Sequence, residues 1–159
     1  MSSPIRVAAC HVSPVFLSAR RTTEKAVSLI QRAAKHHANL VVFPETYIPA
    51  FLICSVSHLV GSATADTTEN HDLFKRMALK SVYVDGEEVN AIRSAAREPD
   101  VMVSVGVSEK VRYSGATLFN SNIVLDSDGG VLVHHRKLVR TFFEKLTASS
   151  VGKGANYDK

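Results

Sequence analysis

Ser18–Phe43 reads Ser-Ala-Arg-Arg-Thr-Thr-Glu-Lys-Ala-Val-Ser-Leu-Ile-Gln-Arg-Ala-Ala-Lys-His-His-Ala-Asn-Leu-Val-Val-Phe, and two periodicities meet inside it. Ala26, Val27, Ile30, Ala33 and Ala34 recur at the spacing of one helix face, while Arg20, Arg21, Lys25 and Arg32 turn mainly elsewhere. Ser18 is placed to cap the start, and Asn39 is placed to end the helix in a left-handed conformation. Leu40-Val41-Val42-Phe43 then runs apolar without alternation, as expected of a strand covered on both faces. Upstream, Ile5–Cys10 is a second short apolar run with Arg6 marking a wet flank, and Pro14 breaks the loop between that run and the helix. Strand, helix, strand with short links is a parallel crossover unit, which assigns the chain to the α/β class.

Downstream the pattern continues. Pro44 closes the second strand because it has no N–H to give to a ladder, and Glu45 follows. Thr46–Ser55 is apolar but broken by proline, a packed loop or irregular helix, and Val60–Asn70 is small and polar, as in a flexible insertion. Leu73–Val84 reads as a helix with Leu73, Phe74, Met77 and Leu79 inward, and Asp85-Gly86 breaks it. Val89–Arg97 resumes with Val89, Ile92 and Ala96 on one face. Val101–Val107 and Leu118–Leu125 read as strands separated by a turn at Tyr113-Ser114-Gly115. The turn signal Asp126-Ser127-Asp128-Gly129-Gly130 leads into a last strand, Val131-Leu132-Val133, with Lys137 just past its end. Nothing repeats internally and no boundary divides the 159 residues, so one domain is expected.

Composition narrows the function classes. Hydrophobic content of 45% and charged content of 21% are those of an ordinary globular chain. The excess of 19 Lys+Arg over 15 Asp+Glu, +4, is mild and forms no basic arm, which argues against nucleic acid as a partner. No apolar stretch has spanning length and no signal-type start is present, so a cytoplasmic protein without a membrane partner is expected. Cys10 and Cys54 then read as reduced thiols rather than a disulfide. His134-His135 would point to opposite faces of a strand and His36-His37 closes a helix; neither pair has ligand spacing with acidic neighbours, so a structural reading is favoured over a metal site.

Glu45, Lys137 and Glu144 stand out because each follows an apolar strand or its loop, where sites collect in α/β proteins. A poorly solvated carboxylate is suited to take a proton near neutrality, and an ammonium beside it can hold developing negative charge. By position alone, a Glu or Lys at a loop start is more often an ordinary solvated surface residue, because strand-end position is a weak signal.

Val41-Val42-Phe43-Pro44-Glu45-Thr46-Tyr47-Ile48-Pro49 resembles the first signature of the nitrilase, or carbon–nitrogen hydrolase, superfamily. His135-Arg136-Lys137-Leu138, with Thr141 and Glu144-Lys145-Leu146, resembles the second, in wording closer to the nitrilase branch than to the amidases. Ile5–Val15, Ala95–Glu98, Val105-Gly106-Val107, Phe119-Asn120-Ser121 and Gly129-Gly130 extend the likeness over nearly the whole chain. The resemblance implies an α/β fold of the four-layer α-β-β-α sandwich type, paired further across subunits. It also implies a small nitrile or amide substrate and no metal or organic cofactor. Glu45 would be the general base, Lys137 would stabilise tetrahedral intermediates, and Glu144 would support the lysine. A cysteine thiolate would attack the nitrile carbon, passing through a thioimidate and a thioester to the acid.

The family's cysteine lies beyond another strand past the second glutamate, whereas this sequence runs to Lys159. The expectation is therefore a C-terminally truncated domain, residues 1–159, holding part of the sandwich and inactive alone. Neither Cys10 nor Cys54 matches the nucleophile's position. Arg140 stands where the family commonly has proline, Thr147–Asn156 lacks a tryptophan-glycine motif, and Ala50-Phe51-Leu52 replaces glycine and aromatic residues, departures that bear on pocket shape. Uncovered apolar strands would favour association, as a homo-oligomer or as a non-catalytic subunit on full-length homologues. A gene fragment continuing past codon 159 is the third reading.

Overall fold

The crossover unit forms as its periodicity dictates. The computed structural model describes residues 4–50 and 68–139. Val7–Ala9 (β1), Ala19–Lys35 (α1) and Leu40–Val42 (β2) follow one another, and β1 pairs parallel with β2. Ala26 and Ile30 of α1 are fully buried, with Val27, Ala33 and Ala34 packed against the same core. Thr22 is also buried; its hydroxyl donates to the Val15 carbonyl and accepts from the Val15 N–H, both at 3.0 Å, which closes the loop before the helix.

Both helix ends differ from expectation in detail. Ser18 occupies the N-cap position and its carbonyl accepts the first helical bond, from Thr22 N–H at 3.0 Å, but its side chain makes no capping hydrogen bond. The left-handed residue that stops α1 is His37 (φ 59°), not Asn39. Asn39 is already pinned to the sheet, its Oδ1 accepting from Arg6 N–H at 2.9 Å and its carbonyl from Met102 N–H at 3.0 Å. The reversal must therefore be complete before it.

Two further helices, Thr68–Lys80 (α2) and Glu87–Arg97 (α3), precede the long strands Met102–Val111 (β3), Ser114–Leu125 (β4) and Val131–Arg136 (β5). The α2 range begins and ends earlier than the Leu73–Val84 expectation, because Val82 has joined the sheet in a bridge to Glu109. Met77 is buried, whereas Leu79 is 66% exposed, two residues off the inward face. Residues 51–67 and 140–159, which include Cys54, most of the 60–70 insertion, Thr141 and Glu144, lie outside the described residues.

The five strands form one sheet in the order β1-β2-β3-β4-β5, parallel through β3 and antiparallel from there. Val41, Val103, Val105, Val107, Ile123 and Leu125 share a single core with Ile30 of α1 and Val89 and Ile92 of α3, so both helices cover the same face. A helical layer on one face of a mixed sheet agrees with one half of the α-β-β-α layering that the resemblance implies. At the edge, β5 leaves Val131, Leu132 and Val133 exposed. No helix among the described residues is long and apolar enough to cross a membrane.

Candidate active site

Glu45 is set in place by a glycine on the neighbouring strand. After Pro44 the chain turns across β3 so tightly that a Cβ on Gly106 would lie 2.6 Å from Thr46 N and 2.8 Å from Glu45 Cα, and closer still to the Pro44 carbonyl. Only a residue without a side chain allows that approach. Thr46 takes φ 43°, a left-handed conformation that a β-branched residue adopts at a cost of about 1–3 kcal/mol. Beyond it Ile48 N–H donates to the Gly106 carbonyl at 3.2 Å and Ser108 N–H donates to the Ile48 carbonyl at 2.7 Å. The turn is thereby fastened along β3 while Thr46, Tyr47 and Ile48 are buried.

Lys137 arrives from the opposite end of the sequence. It follows β5 directly, and its N–H donates to the Asn120 carbonyl on β4 at 2.8 Å. Its Nζ donates to Glu45 Oε1 at 2.8 Å, and Asn120 Nδ2 donates to the same oxygen at 2.6 Å. The Lys137 side chain is 29% exposed and that of Glu45 52%, so the pair opens to solvent. Glu45 also borders a hollow of about 310 Å³ lined by His11–Pro14 and Pro44–Tyr47. Two of the three residues expected from the sequence are thus brought into contact; the third, Glu144, lies outside the described residues.

A second carboxylate, Glu109 of β3, is not among the residues the sequence singles out. Its side chain is 3% exposed. It accepts Ser121 Oγ at 2.6 Å, His134 Nε2 at 2.8 Å and a bidentate Arg136 guanidinium, Nε at 3.0 Å and Nη2 at 2.5 Å. Burial pushes its pKa up, but the hydrogen bonds from His134, Arg136 and Ser121 outweigh burial and hold it down at about 2. The Arg136 guanidinium also lies over the Phe119 ring at 4.1 Å. The signal that could find Glu109 is parity: it continues the inward series Val103, Val105, Val107, where an acid needs buried partners.

Cys10 is the one cysteine among the described residues. It lines a different hollow, between β1 and α1, of about 700 Å³. Burial raises its thiol pKa, and Arg32 offsets only part of that, the opposite of an activated thiolate. His134 is committed to Glu109 while His135 is exposed, the two faces expected of strand neighbours. Among the described residues no three His, Cys, Asp or Glu side chains gather as a metal site.

The sequence and the fold have counterparts in known proteins. The family profile described as carbon-nitrogen hydrolase matches residues 6–157. An arylacetonitrilase of Hypocrea virens is 37% identical over 89% of this chain and 39% of its own length. A bromoxynil-specific nitrilase of Klebsiella pneumoniae subsp. ozaenae is 33% identical over 91% of this chain and, again, 39% of its own. The crystal structure of an amidase from Nesterenkonia sp. superposes with a TM-score of 0.64 at 16% identity, covering 94% of this chain and 49% of that one. The chain therefore spans about two fifths of the length of the nitrilases it matches and about half of the amidase.

Proposed function

The chain belongs to the carbon–nitrogen hydrolase family, and from that premise we propose that Glu45 and Lys137 are the acid–base half of a site that hydrolyses nitriles to a carboxylic acid and ammonia. The observation that carries this reading is the contact at Glu45 Oε1, where the Lys137 ammonium and the Asn120 amide converge at 2.8 and 2.6 Å. A carboxylate so placed can serve as the proton acceptor, and the ammonium beside it can stabilise negative charge as it develops on the substrate. In the reaction Glu45 takes the proton of an attacking thiol as sulfur bonds to the nitrile carbon. The resulting thioimidate adds water and releases ammonia, and a second water, deprotonated by Glu45, cleaves the thioester. Glu144 would support Lys137. The nitrilases that resemble this chain favour nitriles as the substrate class, with amides the neighbouring choice. No metal or organic cofactor enters this chemistry.

The thiol itself is not supplied by Cys10, whose burial keeps it protonated and whose hollow is a separate one. In this reading the described residues supply the acid–base half of the site and not its thiol, in a cytoplasmic protein that acts in association. The test is reconstitution: co-expression with the portion of the Hypocrea virens arylacetonitrilase that this chain does not match, followed by co-purification and assay on an arylacetonitrile. Ammonia release by the pair, absent from either piece and lost in Glu45→Gln and Lys137→Met, is expected. Release that survives Glu45→Gln means the chemistry lies elsewhere.

A second reading, a non-catalytic subunit that joins full-length homologues or copies of itself, is favoured by the exposed Val131, Leu132 and Val133 on edge strand β5. Co-migration with a full-length nitrilase on size exclusion, without any change in its turnover, would support it.

A further inference from the structure

We infer that Asn120 is the positioning residue of the Glu45–Lys137 pair, its side-chain amide holding Oε1 so that Oε2 is the oxygen left to take a proton. The inference rests on the reading of Glu45 as a base and assigns the residue that orients it. Asn120 touches both partners through different groups: Nδ2 donates to Glu45 Oε1 at 2.6 Å, and the backbone carbonyl accepts from Lys137 N–H at 2.8 Å. Its place is fixed by β4, where it lies opposite Ser108 of β3, and by the flanking Phe119 and Ser121, both buried.

Glu45 projects from a turn with its carboxylate half in solvent, and such a side chain otherwise samples several rotamers. Lys137 alone does not select one, because an ammonium on a four-carbon stem follows either oxygen. The Asn120 amide comes from a short side chain on a strand, so its donor to Oε1 has a fixed origin. Two donors on Oε1 draw its electron density away, and no described residue donates to Oε2. The carboxylate is thus divided into a held oxygen and a reactive one.

The side-chain and backbone contacts of Asn120 can be uncoupled, which separates positioning from a merely structural role. In Asn120→Ala the backbone carbonyl remains and the amide is gone. Side-chain couplings of Glu45, measured by NMR on the labelled 159-residue chain, are expected to move from the values of one rotamer to averaged ones, because the lost bond is the one that holds Oε1. Exchange at the Lys137 backbone N–H is expected to stay within about twofold, since that bond is retained. Asn120→Leu, near in volume but without the donor, is expected to give the same split. Unchanged Glu45 couplings in both variants overturn the inference. So does acceleration of the backbone exchange in step with them, or loss of a cooperative melt in both variants, since either makes Asn120 a packing residue only. These readouts involve no turnover. A split observed while reconstituted activity survives Glu45→Gln would leave the positioning intact and remove the base.

Discussion

Arg136 and Lys137 are neighbours in the chain, yet they serve two carboxylates in opposite circumstances. Arg136 pairs with Glu109 on the face that α1 and α3 cover, together with Ser121 and His134. Lys137 pairs with Glu45 beyond the strand end, together with Asn120. A one-residue step on β4, from Asn120 to Ser121, and a one-residue step from Arg136 to Lys137 divide the donors between them, because successive residues of a strand face opposite ways. Glu109 has donors on both oxygens and almost no contact with water; among the described residues Glu45 has donors on one oxygen only, and it is half exposed. A saturated carboxylate has nothing left to give to a substrate and acts as a strut. A carboxylate with one open oxygen can do chemistry and adds little to stability.

The largest effect expected from that contrast is on the strut. Glu109→Ala leaves Arg136 and His134 without their buried partner and should destabilise the chain by about 3–5 kcal/mol in chemical denaturation. A loss below about 1 kcal/mol would mean that the cluster is as weak as a surface pair and the distinction false. Gly106→Ala comes next. Its methyl would meet the backbone of Pro44, Glu45 and Thr46, and a cost of about 1–3 kcal/mol is expected, together with displacement of the Glu45 turn visible in amide shifts.

Acid should weaken the strut. The folded-state pKa of Glu109, about 2, lies below its ordinary value of 4.5, so its contribution is fully present above about pH 4.5 and is lost as pH falls toward 2. Stability should decline by about 3 kcal/mol across that window, since a proton taken up on unfolding is worth about 1.4 kcal/mol for each pH unit between the two values. In Glu109→Gln the same interval should be flatter by that amount. An equal decline in both proteins would place the acid sensitivity elsewhere. The smallest stability effect belongs to Glu45→Gln: an ion pair half open to water contributes about 0–1 kcal/mol, so the melting transition should barely move.

Much of the scaffold is legible in the residues themselves. The strands stand out as apolar runs, and α1 and α3 as apolar positions at helical spacing. The α2 boundaries are less legible, because Ser81–Tyr83 carries no breaker and is drawn into the sheet by the Val82–Glu109 bridge, a contact that no local pattern encodes. Ser18 and Asn39 have the chemistry of caps, but the Ser18 hydroxyl makes no cap bond and the sheet claims Asn39. The meeting of Glu45 and Lys137, 92 positions apart, is produced by strand order, so spacing does not reveal it and only the family resemblance suggests it. Glu109 can be found from parity: His134 and Arg136, two apart on β5, form a basic face that calls for an acid on the inward series of another strand. Asn120 carries no signal beyond its place in a motif, since an amide on a strand is not unusual until its partner is known.

The most direct measurement is ammonia release from an arylacetonitrile by the reconstituted pair, compared between the native chain, Glu45→Gln and the isosteric Glu109→Gln at matched, fully folded concentrations. Release abolished by Glu45→Gln and retained per folded molecule by Glu109→Gln is the result expected of one reactive carboxylate and one strut. Release that persists in Glu45→Gln would contradict the account.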